Sequence, residues 1–107
     1  MASIPESDWK YMSKIKTDLL NRLCEKIRKQ SVAIFQEEDS SEYERYLKNY
    51  KHIQDSDKIV AECFNDWRRS TLFMRLAAIQ HYELLSQEQF ERLSVDTQKK
   101  LNAFRDI

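Results

Sequence analysis

The chain has 107 residues and a mass of 12.9 kDa, enough for one domain that buries about 60–65% of the surface its unfolded form exposes. Its 18 basic residues balance 18 acidic ones, and Leu, Ile, Val and Phe fill 26 positions; this argues against a charge-driven disordered chain and offers no broad field for nucleic acid or anionic lipid. With no glycine and a single proline, Pro5, the usual sources of positive φ in hairpin turns are missing, which disfavours meanders, sandwiches and barrels and predicts an all-α fold.

The first element is a long amphipathic helix. Ser7 is a candidate N-cap just after Pro5, and Trp9, Met12, Ile15, Leu19, Leu20, Leu23, Ile27, Ile34 and Phe35 recur at threes and fours, predicting a helix over 6–38. Thirty residues at 1.5 Å each span roughly 45 Å, whereas a compact domain of this length has a radius of gyration near 13 Å. The stripe therefore overhangs a compact monomer, and a second copy of the chain is the simplest partner for it. Leu19, Leu20, Leu23 and Ile27 are the expected seam of that homodimer.

Glu37-Glu38-Asp39-Ser40-Ser41 breaks the pattern, and Ser41-x-x-Glu44 fits a capping box. A second long helix is predicted over 41–85. It begins with a half-polar stripe of Tyr43, Tyr46, Leu47, Tyr50 and Ile53 and continues through Ile59, Val60, Cys63, Phe64, Trp67, Leu72, Leu76 and Ile79. Asp55-Ser56-Asp57 offers a cap that would break or kink it near 54–57. Ser86-x-x-Gln89 and Ser94 then open two short helices, making 86–107 a small head.

Residues suited to catalysis are sparse. His52 and His81 stand about thirty residues apart with no nucleophile elbow or H-E-x-x-H helix, and without glycine no phosphate-cradling loop can be built. Cys24 and Cys63 lack metal or disulfide spacing, and Glu37, Glu38 and Asp39 read as a solvated turn. The expectation is a protein that is not an enzyme and needs no cofactor or metal. No apolar stretch approaches the ~18 residues of a membrane span, and the N-terminus has no signal-peptide core, so the chain reads as cytoplasmic with no membrane and no nucleic-acid partner. The informative stretch is Asp66-Trp67-Arg68-Arg69-Ser70-Thr71-Leu72-Phe73, where a Trp and two arginines on one turn suit a cation–π patch or a carboxylate clamp at an interface.

From Arg68-x-Ser70 onward, through apolar Leu72 to Ile79, Leu84-Leu85-Ser86-x-Glu88-x-Phe90 and Leu93-x-x-Asp96-x-Gln98-x-Lys100-Leu101, the chain resembles the C-terminal half of the fluorescence recovery proteins of cyanobacteria and their bacterial relatives. The match covers a third of the chain, mostly by pattern, and the upstream outline of two long helices agrees. The resemblance implies an elongated all-α homodimer with a small helical head at each end. It also implies a binding module that, in cyanobacteria, engages photoactivated orange carotenoid protein and speeds its return to the resting form. That family's Trp-x-x-His-Asp segment falls on Lys48-Asn49-Tyr50-Lys51-His52, where Trp, His and Asp are all replaced, and the basic residue a few positions on becomes Lys58. A divergent relative with a different protein partner is therefore expected. A two-residue shift would put Tyr46 or Tyr50 at the Trp position, so its binding face would comprise Trp67, Arg68 and Arg69 together with Tyr46, Tyr50 and Lys51 as the face corresponding to the family's segment. The competing expectation is a structural dimerisation or scaffold unit, or a small inhibitor of a toxin or host factor, unrelated to photoprotection.

Overall fold

The computed structural model describes residues 4–106, and every regular element among them is helical. In chain order these are α1 (Glu6–Phe35), α2 (Glu42–Phe64), a 3₁₀ turn (Arg69–Thr71), α3 (Leu72–His81), α4 (Gln87–Glu91) and α5 (Val95–Arg105). Pro5, not Ser7, opens α1: its carbonyl accepts from the backbone N–H of Asp8 at 3.0 Å and Trp9 at 3.1 Å, and its φ of −55° is already that of a helix entry. Ser7 lies inside the first turn. The capping box at Ser41 forms as read, with Glu44 N–H donating to Ser41 Oγ and Ser41 N–H to Glu44 Oε1, both at 3.1 Å.

The second long helix differs from the expectation. It runs through 54–57 without a break, because Ser56 is buried and bonded sideways to His52 Nδ1 at 3.4 Å, not capping a new helix, and Lys51 pairs with Asp55 one turn on at 3.3 Å. It ends at Phe64, not near 85. Asn65 turns to an extended conformation and Asp66 takes φ 51°, a left-handed setting that aspartate tolerates better than most residues. The physical reason is burial. A straight helix over 41–85 would extend about 68 Å and carry Leu72, Leu76 and Ile79 away from α1. Folding back at 65–71 instead buries all three completely.

α3 ends in a Schellman motif: Leu84 N–H bonds to Ile79 O and Glu83 N–H to Gln80 O, each at 3.0 Å, with Glu83 at φ 57° and Leu84 fully buried beside the helix. In most chains glycine occupies that position. Glu83→Gly is expected to raise stability by roughly 0.5–1 kcal/mol, a melting-temperature gain of a few degrees readable by circular dichroism, because it removes the Cβ clash of the left-handed setting.

The core is assembled at one end of the molecule. Met12, Ile15, Leu19 and Leu23 of α1 pack with Cys63 and Phe64 of α2, Leu72, Leu76 and Ile79 of α3, and Leu93 and Leu101 at the head's far side. Leu19 and Leu23 therefore belong to the interior of a single chain and cannot form the seam expected of them, while Leu20 and Ile27 lie half-buried against the same core. Beyond Leu23 on α1 and before Ser56 on α2 no residue is fully buried. These segments form a two-helix arm projecting from the head. The arm accounts for the extents of 51 × 28 × 24 Å and a radius of gyration of 16.5 Å, above the ~13 Å of a compact domain of this length.

Candidate functional site

Polar bonds tie the two helices of the arm together, and its apolar side chains take no part in them. At the tip, Arg45 Nε donates to Glu37 O at 2.7 Å, and the Glu37 carboxylate accepts from Lys48 Nζ at 2.6 Å and Ser40 Oγ at 2.9 Å. The Lys48 and Ser40 bonds hold the Glu37 carboxyl below its ordinary range. Midway, His52 Nε2 bonds to the Ile27 carbonyl at 3.1 Å, which makes Nε2 the protonated nitrogen and Nδ1 the acceptor for the Ser56 hydroxyl. His52 thus ties α2 to α1.

What the arm exposes is aromatic and aliphatic. Tyr43, Tyr46 and Tyr50 are 70%, 55% and 57% accessible, and their rings follow one another at centroid spacings of 6.4 Å along α2. Leu47 and Ile53 on α2, and Val32 and Phe35 on α1, are also exposed, so seven of the ten large hydrophobic residues exposed among those described lie on this one arm. Between the helices a shallow groove of about 290 Å³ is lined by Phe35, Tyr46, Tyr50 and Ile53 together with Asn49. Scattered exposed apolar residues are normal; here they are concentrated on one projecting element.

The residues expected to form one binding face do not meet. Tyr46, Tyr50 and Lys51 sit on the arm, with Lys51 ion-paired to Asp55, whereas Trp67, Arg68 and Arg69 lie beyond the other end of α2, roughly 27 Å along the helix from Tyr46 to Phe64. Trp67 is half-buried, stacked on Phe64 at 6.2 Å and tilted against Trp9 at 6.3 Å, and its Nε1–H donates to Ser13 Oγ at 3.2 Å. The cation over its ring is Lys16, at 4.9 Å, not either arginine. Arg69 Nε donates to Ile4 O at 3.0 Å, tying the N-terminus to the turn. Arg68 grips the Asp66 carboxylate through Nε at 2.6 Å and Nη2 at 2.9 Å, which lowers the Asp66 pKa and keeps the fork occupied. The turn is thus largely a structural joint: Trp67, Arg68 and Arg69 each make bonds within the fold, although both arginines remain exposed.

The head carries two adjoining open depressions along α3. One, of about 560 Å³, is lined by Gln80, His81, Phe90, Asn102 and Arg105; the other, of about 530 Å³, by Glu62, Met74, Arg75, His81 and Phe104. His81 stands exposed, edge-on to Tyr82 at 4.8 Å; Ser86 also lines the first depression, where its Oγ accepts from Gln89 N–H at 3.1 Å as the cap of α4. Among the described residues no group of three His, Cys, Asp or Glu side chains is placed to hold a metal ion, and no helix is long and apolar enough to cross a membrane.

The two cysteines are opposites. Cys24 is exposed on the arm, whereas Cys63 is fully enclosed and burial pushes its thiol up to about 11. Ellman's reagent is expected to titrate one thiol quickly in the native protein and the second only on unfolding. Because the folded thiol keeps its proton while the unfolded one ionises from its ordinary 9.0, stability is expected to decline as pH rises from 9.0 to about 11 in a urea titration series.

No protein-family model matches the chain, and neither curated proteins nor solved structures give a significant match.

Proposed function

We propose that this chain is a non-catalytic protein-interaction module: a helical head that anchors a rigid arm, and an arm whose aromatic face binds another protein chain. One observation carries the reading. Three successive, solvent-exposed tyrosines and four aliphatic or aromatic neighbours sit on a projection whose backbone is braced by Arg45, Lys48 and His52. Exposed tyrosines on a rigid support are efficient binding anchors, because they contribute large contact area with few torsions to freeze. The resemblance to fluorescence recovery proteins fits a module of this kind, and the replaced segment at Lys48–His52 makes a protein other than orange carotenoid protein the expected partner. A dimerisation or scaffold unit with no further partner is the second reading. It is favoured by Trp67 and Arg69 being engaged within the fold, which leaves the head few free anchors.

The test is site-specific photocross-linking. A photoreactive benzoylphenylalanine replaces Tyr50 on the arm, or Val95 on α5 as an exposed control, in the full chain expressed in its native cells. Protein adducts at position 50 and none at position 95 are expected. Absence of any protein adduct at position 50 would overturn the interaction reading, and the adduct mass separates a second copy from a different protein.

A further inference from the structure

The exposed tyrosine face of α2 begins in a concentration of negative charge. The whole chain is neutral, yet residues 36–48 hold five acids, Glu37, Glu38, Asp39, Glu42 and Glu44, against two bases, Arg45 and Lys48, a net charge of −3. Both bases are spent inside the tip. Arg45 is turned inward onto the Glu37 carbonyl and the Glu42 carboxylate, and Lys48 Nζ donates to the Glu37 carboxylate at 2.6 Å and Ser40 Oγ at 3.2 Å. Glu38 and Asp39 are exposed and have no cation paired to them among the described residues, and Glu42 keeps its side chain almost wholly in solvent despite the contact with Arg45. The bases of the tip face in and its acids face out.

The tyrosines call for the same kind of partner. Glu42 is adjacent to Tyr43 in sequence and one helical turn from Tyr46, so carboxylates and rings share the start of α2. The face of an aromatic ring carries negative potential and attracts a cation set over it. In the head this is met within the chain, by Lys16 over Trp67 at 4.9 Å; among the described residues no cation stands over Tyr43, Tyr46 or Tyr50. A guanidinium satisfies ring and carboxylate together, because its plane stacks on the one while its fork donates to the other.

This charge also separates the possible occupants. A tip of net −3 repels the phosphates of nucleic acid and of anionic bilayers, and a second copy aligned tip to tip sets like charge against like. A protein segment that carries lysine or arginine beside apolar side chains complements both the carboxylates and the stripe of Tyr46, Leu47, Tyr50 and Ile53.

We propose that the tip and tyrosine face of the arm dock a basic segment of a different protein, with its Lys or Arg side chains over Tyr43 and Tyr46 and directed to Glu38, Asp39 and Glu42. The proposal rests on the arm being an interaction surface and adds the chemistry of the partner.

The test is selection from a phage-displayed library of random dodecapeptides on the immobilised full chain, followed by fluorescence anisotropy of the enriched peptides. Enrichment of Lys and Arg over the unselected library is expected, with affinity falling as salt rises from about 0.05 to 0.5 M. Glu38→Lys/Asp39→Lys takes the tip from −3 to +1 through two side chains that make no hydrogen bond among the described residues. This variant and Tyr46→Ser/Tyr50→Ser, each verified as folded by circular dichroism, are both expected to weaken binding at least ~10-fold. The proposal is overturned if no peptide is enriched, if the enriched peptides are not basic, or if their affinity is indifferent to the charge reversal. Non-basic peptides that still depend on the tyrosines remove the basic partner and leave the interaction reading standing. Photocross-linking at position 50 that yields only the mass of two chains, with no basic peptide enriched, gives the face to a second copy; no peptide and no adduct removes both readings.

Discussion

Asp8→Ala is expected to cost about 3 kcal/mol of unfolding free energy and to lower the melting temperature by roughly 15 °C. Asp8 sits in the first turn of α1 at 2% accessibility, yet its carboxylate serves the far end of the chain. Oδ1 accepts from Ser94 N–H at 2.8 Å, and Oδ2 accepts from Ser94 Oγ at 2.8 Å and Thr97 Oγ1 at 2.6 Å. The negative charge thus sits at the N-terminus of α5, where the helix leaves unpaired N–H groups and positive partial charge. A buried carboxylate is tolerated only when its bonds are complete, and here three donors complete them. Truncation removes those three bonds, leaving the Ser94 N–H without its acceptor and the Ser94 and Thr97 hydroxyls with only each other at 3.0 Å. Thermal and urea unfolding of Asp8→Ala, Ser94→Ala and the double variant would measure it. A coupling energy near zero, or a melting shift below about 4 °C for Asp8→Ala, would show that this junction does not hold α5 to α1.

The second large effect is Leu19→Ala, expected to cost about 3 kcal/mol, because a fully enclosed leucine leaves both lost transfer energy and a cavity behind. The informative part is its dependence on protein concentration. A leucine shared between two chains would be felt through the association equilibrium, so the gap between wild type and variant would widen or close with dilution. A leucine inside one chain's head gives the same gap, roughly 15 °C, across a hundredfold range. The latter is expected from its position among Leu72, Leu76 and Ile79 in the core. A gap that changes with concentration would return Leu19 to an intermolecular seam.

Much of the local structure was legible in the residues themselves. The capping boxes at Ser41 and Ser86, the cap at Ser94, the length of α1 to within three residues and the helical class all follow from short-range chemistry that a sequence displays directly. The tyrosine stripe was also visible, because three phenols at helical spacing are a local pattern. The same periodicity misled at 65–71: Trp67, Leu72, Leu76 and Ile79 continue the spacing of α2, and periodicity cannot distinguish one long helix from two that fold back. The turn is made by Asp66 and closed by Arg68, without the glycine or proline that would have announced it.

By itself, then, the sequence determined that this chain is helical, where most of its helices begin, and that its apolar stripe on α1 is too long for a compact monomer, since each depends on neighbours within a few positions. Only the tertiary structure decided which part of that stripe the chain keeps for itself. The fold-back at 65–71 brings α3 to α5 against Met12 through Leu23 and satisfies that half from within, leaving the other half, with Phe35, the tyrosines and Asn49, as the unclosed arm. The joint role of Asp8 with Ser94 and Thr97, and of Trp67 with Ser13, was likewise decided there, because partners separated by more than fifty residues leave no periodic trace in a chain.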